Sequence, residues 1–224
     1  MRNIVLTGIS RGLGKCLFQE LSVLEDVRVF ALGRNFSEQV QNARGSFILC
    51  DLSSFEDLPV LSDIIPVEGD VVFINNAGTV EPIGEIGALD MEALYRAVQV
   101  NFISPIELCN QLVCFCRKNG QRLKVIDIST GAANYPIVGW SAYCSTKAAI
   151  KMFLDVLAEQ GKIGGDMEVI HIDPGIMDTD MQKHIRSSSA DEFPRLTEFL
   201  TYKEKGKLRA PKDVARDIIW KYIK

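Results

Sequence analysis

Short apolar runs alternate with helical stretches along the whole chain, and this alternation limits the possible folds more than any other feature. The runs lie at residues 3–6, 27–32, 46–50, 70–75, 123–129 and 168–173. The clearest, Val71-Val72-Phe73-Ile74, is apolar at every position, as in strands covered on both faces. Helical patterns fall between them at 13–24, 36–42, 55–63, 91–118, 143–161 and 211–223. Repeated βα units with right-handed crossovers predict a parallel sheet between two helical layers, a three-layer doubly wound α/β fold. No repeat, low-complexity tract or linker divides the 224 residues, so residues 1–224 read as one domain.

One segment breaks the rhythm. Residues 174–210 show neither strand nor strong helical period, yet Met177, Met181, Phe193, Phe199 and Tyr202 keep the segment apolar. Long connections of this kind are either plain surface excursions or loops that cover a site. A position just beyond a strand's carboxyl end favours a substrate loop.

Composition excludes several classes. With 25 Lys and Arg against 29 Asp and Glu, the formal net charge of −4 suits no phosphate-backbone binder. No stretch is long and apolar enough to span a bilayer, and Met1-Arg2-Asn3 runs straight into a strand rather than a leader. A soluble, cytoplasmic protein is expected. Six scattered cysteines and two histidines form no zinc-type spacing, so no metal is expected and the thiols read as free. His171, inside an apolar strand, reads as a satisfied core residue.

The first βα turn reads Thr7-Gly8-Ile9-Ser10-Arg11-Gly12-Leu13-Gly14. Glycines between a strand and an apolar helix allow a tight turn and let the backbone approach a pyrophosphate at the helix amino terminus. The spacing departs from G-x-G-x-x-G. After the second strand comes Gly33-Arg34, where NAD binders carry an acid for the ribose hydroxyls. Arg34 and Arg11 instead offer two guanidiniums suited to a 2′-phosphate, although each could simply be solvated. NADP(H) is therefore favoured over NAD(H). Further along, Tyr143 and Lys147 stand four apart on a helical pattern and share one face. A cationic lysine beside a phenol stabilises the phenolate, lowering a pKa of roughly 10 toward the working range.

These features together resemble the short-chain dehydrogenase/reductase family. The match runs from Asn3 to about Met181: TGxxxGxG at the first turn, Asn75-Asn76-Ala77-Gly78 like its NNAG, Ser129, Tyr143-Cys144-Ser145-Thr146-Lys147 like its YxxxK, and Pro174-Gly175 with Thr179. The resemblance implies six strands in the order 3-2-1-4-5-6. It also implies a cofactor site of Gly8, Ser10, Arg11, Gly12, Leu13, Gly14, Arg34, Asp51, Leu52, Asn76, Ala77, Gly78, Tyr143, Lys147, Pro174, Gly175, Ile176 and Thr179. It casts Tyr143 as general acid/base, Lys147 as its tuning partner, Ser129 as the group on the substrate oxygen and Asn101 as anchor of a proton relay. Pro105 has no N–H for the Asn101 carbonyl, so a kink or a free carbonyl is expected there.

The chain stops after the helical pattern at 211–223, so the family's seventh strand is not expected. That resembles the short sepiapterin-reductase-like and C-factor-like branches. A homodimer through the fourth and fifth helical patterns would use Leu108, Leu112, Phe115, Met152, Phe153 and Val156, and a monomer stays open. The substrate wall draws on Gly131, Ala132, Ala133, Tyr135, Pro136, Trp140 and the 177–181 stretch, with Cys144 at its rim or beneath it. Lys203, Lys205, Lys207 and Arg209 read as a solvated face. The expected activity is NADPH-dependent reduction of a ketone or aldehyde to an alcohol. An NAD-linked alcohol dehydrogenase and a non-catalytic NADP-binding regulator are the competing readings.

Overall fold

The protein is described by a computed structural model over residues 1–35 and 45–224. Its strands are β1 (Arg2–Thr7), β2 (Val27–Gly33), β3 (Gly45–Leu49), β4 (Asp70–Asn75), β5 (Leu123–Ile128) and β6 (Met167–Ile172). Every neighbouring pair is parallel, in the order β3-β2-β1-β4-β5-β6. Each expected strand agrees with the observed one to within a residue at either end. The winding reverses between β1 and β4, so a crevice opens beyond their carboxyl ends.

Successive strand residues point to opposite layers, which explains why the runs are apolar throughout. Ile4, Leu6, Val72 and Ile74 pack with α1 (Gly12–Leu21) and α7 (Pro211–Tyr222). Val5, Val71, Phe73 and Val125 face the other layer, made of α3 (Ser104–Asn119) and α4 (Ser141–Gly164). Leu108, Leu112 and Phe115 are buried there and Phe153 packs against them, so these residues cover the sheet. Of the six apolar side chains expected at a dimer face, only Met152 and Val156 are exposed.

Two helical expectations change. The pattern at 91–118 is broken into α2 (Met91–Val98), a π-helical turn at Gln99–Ile103, and α3. Ser104 N donates to Gln99 O across this turn, and Pro105, which has no N–H for the Asn101 carbonyl, follows directly in α3, so the disturbance expected there takes the form of a π turn. Residues 55–63 form no α-helix, only a 3-10 turn at Leu61–Asp63. Pro59 disfavours helix in the residue before it, and Leu61 N donates to Gln111 Oε1 of α3 instead. The pattern at 36–42 lies outside the described residues.

The segment at 174–210 is more ordered than expected. It contains α5 (Asp180–Ile185), capped by Thr179, and α6 (Leu196–Glu204). Phe193 is fully buried, stacked on Trp140 at 4.9 Å, with Phe199 edge-on to both rings. These helices are too short to show a period, and their apolar residues bury one another and Trp140 rather than the sheet. No helix among the described residues is long and apolar enough to cross a membrane.

Candidate active site

At the first βα turn, Gly8 and Gly12 take left-handed φ of 77° and 56°. A Cβ on Gly8 would stand 2.8 Å from Ala77 Cα, and one on Gly14 would collide with Gly8 O and Asn76 Nδ2. The glycines thus let β1, α1 and the end of β4 meet at backbone distance. Thr7 ties them together. Its Oγ1 accepts from the Asn76 and Ala77 amides, each at 3.1 Å, while Asn76 Nδ2 donates to Thr7 O and Gly8 O. Helix α1 starts at Gly12 with no side-chain cap and no acid in its first turn. Its leading N–H groups and positive dipole end therefore face the crevice.

Beyond β2, Gly33 replaces the acid, and a Cβ there would lie 3.5 Å from Ser10 Oγ. Ser10 Oγ donates to Asn35 O at 3.2 Å. Arg34, two-thirds exposed, stands 3.9 Å from Asp51 Oδ2. Partial burial raises the Asp51 carboxyl, but hydrogen bonds from Ser53 N and Oγ and the Arg34 charge outweigh it and hold the carboxyl below its ordinary value. The neighbouring Leu52 carbonyl accepts from Ser104 Oγ at 2.7 Å.

Ser129 follows β5, where its N–H donates to Ile172 O at 2.8 Å. Tyr143 and Lys147 are both buried on α4, and Lys147 Nζ donates to Ile128 O at 2.9 Å. The expectation that Lys147 lowers the Tyr143 pKa does not hold in the protein alone. Burial pushes the Tyr143 hydroxyl up to about 12; a hydrogen bond with Thr130 opposes this, and the Asp173 charge adds to it. Burial also lowers the pKa of Lys147, against the raising charge of Asp127.

Asn101, inside the π turn, is 1% exposed. Its Oδ1 accepts from Thr79 N and its Nδ2 donates to Thr79 O and to Thr146 Oγ1. It stands behind the cleft wall. Every other residue expected to hold the cofactor or to take part in catalysis lines one continuous cleft of about 950 Å³. Thr7 and Thr130 were not singled out by the sequence. Thr7 belongs to the quoted glycine motif, but nothing in its spacing shows that it clamps β4.

At the far end the wall holds Gly131, Ala132, Tyr135, Trp140, Met177 and Met181, as expected. Pro136 is exposed and Ala133 half-buried, and both lie outside the lining. Gly131 leaves room for the Tyr135 hydroxyl, which lies where a Cβ would stand, so a larger residue there would move the exposed Tyr135 ring. Cys144 is half-buried against the Trp140 cluster. Lys203 pairs with Asp178 and Arg209 with Asp217, while Lys205 and Lys207 are exposed. His171 is satisfied between two carboxylates, Asp127 at 3.0 Å and Asp155 at 3.2 Å.

Residues 2–190 match the family model described as short chain dehydrogenase. A benzil reductase ((S)-benzoin forming) of Bacillus cereus is 32% identical over 231 residues, covering 97% of this chain and 92% of its own length. A sepiapterin reductase of Xenopus tropicalis is 31% identical over 228 residues, covering 91% and 84%. The crystal structure of the KRED1-Pglu enzyme superposes with a TM-score of 0.82 at 28% identity, covering 96% of this chain and 92% of that one. The chain belongs to the short-chain dehydrogenase/reductase family, with relatives of the sepiapterin-reductase-like branch. It is thereby an oxidoreductase of a family that uses nicotinamide cofactors. The cleft suits such a group: the left-handed turn at Gly8 and Gly12 leads to an uncapped, acid-free amino terminus of α1, whose free N–H groups would hold a pyrophosphate.

Proposed function

We propose that the protein is an NADPH-dependent carbonyl reductase in which Tyr143 is the general acid. The observation that carries this reading is the placement of Tyr143, Lys147 and Ser129 on one buried wall between the glycine turn and the Trp140 cluster. A bound nicotinamide supplies the hydride that the carbonyl carbon receives. Tyr143 donates its proton to the carbonyl oxygen as the C–O double bond becomes a single bond, and Ser129 hydrogen-bonds that oxygen. Lys147 holds a positive charge beside the resulting phenolate and offers N–H groups to the ribose hydroxyls. Asn101 keeps residues 76–79 in register with the cleft. A protein-only Tyr143 pKa near 12 keeps the phenol protonated at neutral pH, as an acid must be before it acts.

Arg11 and Arg34, with no acid at residue 33, support a 2′-phosphate over a free hydroxyl. The Arg34–Asp51 pair is the observation on the side of NAD(H), since it engages one of the two cations. Aromatic and thioether side chains around Tyr143 support an apolar, ring-bearing ketone or aldehyde, in keeping with the benzil reductase relatives. We assign residues 174–210 as the substrate loop of a single domain. A homodimer, if formed, would use the exposed Met152 and Val156 of α4.

The test is Tyr143→Phe. Loss of a positioned acid removes roughly 10²- to 10⁴-fold of turnover. The thermal shift given by NADPH should stay as in the wild type. Retained turnover in this variant sinks the reading, and an equal shift with NADH sinks the cofactor preference.

A further inference from the structure

Beneath the lysine of the proposed site lies a chain of charged groups to which the reaction assigns no task. Asp127 is on β5 with a fully buried side chain, one residue before the Ile128 carbonyl that accepts from Lys147 Nζ. Its Oδ1 accepts from Asn75 Nδ2 at 2.9 Å and its Oδ2 faces His171 Nδ1 at 3.0 Å. Asp127 and His171 are register partners across β5 and β6. On its other side, His171 Nε2 faces Asp155 Oδ1 at 3.2 Å, and Asp155 Oδ2 accepts from Lys151 Nζ at 2.9 Å. The chain thus runs from the buried end of α4 to the half-exposed Asp155.

The chemistry of these contacts fixes the charges. Burial raises the Asp127 carboxyl, but the His171 contact, the Lys147 charge and the Asn75 hydrogen bond outweigh it and hold it below its ordinary value, so Asp127 is an ionised carboxylate. His171 donates to it through Nδ1. A neutral ring would then present a bare Nε2 to the Asp155 carboxylate, acceptor to acceptor, so the geometry favours imidazolium. The Asp127 hydrogen bond raises the His171 pKa first; burial opposes it, and both carboxylate charges add to it. The groups around the pair are few. Helix α4 supplies Lys147, Lys151, Asp155 and Tyr143, β4 supplies the neutral Asn75 amide, and Asp173 beyond β6 acts on Tyr143.

We propose that Asp127 is the positioning counter-charge of the Lys147 ammonium, and that the proton on His171 sets how much of that charge Lys147 receives. With His171 protonated, Asp127 is matched by its neighbour. When His171 loses its proton, the Asp127 charge acts on Lys147 unopposed, and the ammonium is held more firmly as the pH rises. The assignment rests on the reading of Lys147 as the cation beside Tyr143.

The experiment uses the full chain carrying lysine ¹³C-labelled at Cε, with the Lys147 signal identified by its loss in Lys147→Arg. In the wild type this signal should show two inflections with pH, the first coinciding with titration of His171. His171→Gln should abolish the first and leave the second in place. Asp127→Asn should move the second down by about one pH unit, a tenfold change in proton affinity. The alkaline limb of carbonyl reduction should fall by the same amount in Asp127→Asn and stay in place in His171→Gln. A single wild-type inflection, or one unmoved in Asp127→Asn, overturns the proposal. If Asp127→Asn does not fold, the comparison of wild type with His171→Gln decides. The titration needs no turnover, so the proposal stands if both inflections behave as stated even where Tyr143→Phe stays active and the acid assignment falls.

Discussion

The Asn101 amide grips Thr79 by both backbone polar groups, accepting from its N–H at 2.8 Å and donating to its carbonyl at 2.8 Å. Twenty-two residues separate the two, and no repeating secondary structure joins them. The π turn is what aims Asn101 at the segment after β4 rather than along the helix face. The same amide reaches Thr146, one residue before Lys147, so a single buried side chain ties the segment after β4 to α4.

Asn101→Ala leaves the half-buried Thr79 N–H and carbonyl without their partner. Each orphaned group costs about 1–3 kcal/mol when fully buried; because Thr79 is only half-buried, chemical denaturation should show the lower part of the two-group range, about 2–4 kcal/mol. Turnover should fall at least tenfold because residues 76–79 lose their register. A variant with wild-type stability and rate would show that this clamp has no consequence.

Arg34→Ser tests which cofactor the ribose end takes. A charge-assisted hydrogen bond contributes about 1.5–3 kcal/mol, so NADPH affinity should drop by roughly 10- to 100-fold. NADH affinity should change little, since Asp51 keeps its bonds from Ser53 in the variant. Calorimetric titration with both cofactors gives the ratio. Equal losses for the two would assign Arg34 to general electrostatics rather than to the 2′ position.

The legible part of the molecule was the part governed by local period and by motif. Val71-Val72-Phe73-Ile74 could only be a two-face-buried strand, and Gly8, Gly12 and Gly14 mark a turn that nothing larger can occupy. Pro105 announced a disturbance near Asn101, though not that it would be a π turn. What stayed hidden depends on distant partners. Asp127 and His171 lie 44 residues apart and meet only through strand register. Phe193 is a core residue because Trp140 lies beneath it, and no window around 193 contains that fact. The helix expected at 55–63 failed because Pro59 and the Gln111 side chain direct the backbone bonds elsewhere.

Phe193→Ala removes the ring that stacks on Trp140 and meets Phe199 edge-on. A buried Phe→Ala change costs about 3–5 kcal/mol, concentrated here in the cluster under α5 and α6. Limited proteolysis within 178–210 should accelerate, and KM for an apolar ketone should rise while NADPH affinity holds. Unchanged cleavage and KM would remove residues 174–210 from the substrate side of the site.

His171 gives the fold a pH dependence whose direction follows from its two carboxylates. Its hydrogen bond to Asp127 raises the folded-state pKa above the ordinary imidazole value, against burial and with help from the Asp127 and Asp155 charges. The unfolded chain titrates near 6.5, so the folded state binds this proton more tightly and is stabilised by it. That stabilisation is fully present below about pH 6.5 and disappears as the pH rises through the folded value. Melting temperatures of wild type and His171→Gln should therefore differ most near pH 6 and converge toward pH 9. The difference between the two proteins isolates His171, because every carboxylate that titrates at lower pH is common to both. A gap that stays constant from pH 6 to 9 would mean that His171 contributes packing alone, its ring uncharged throughout.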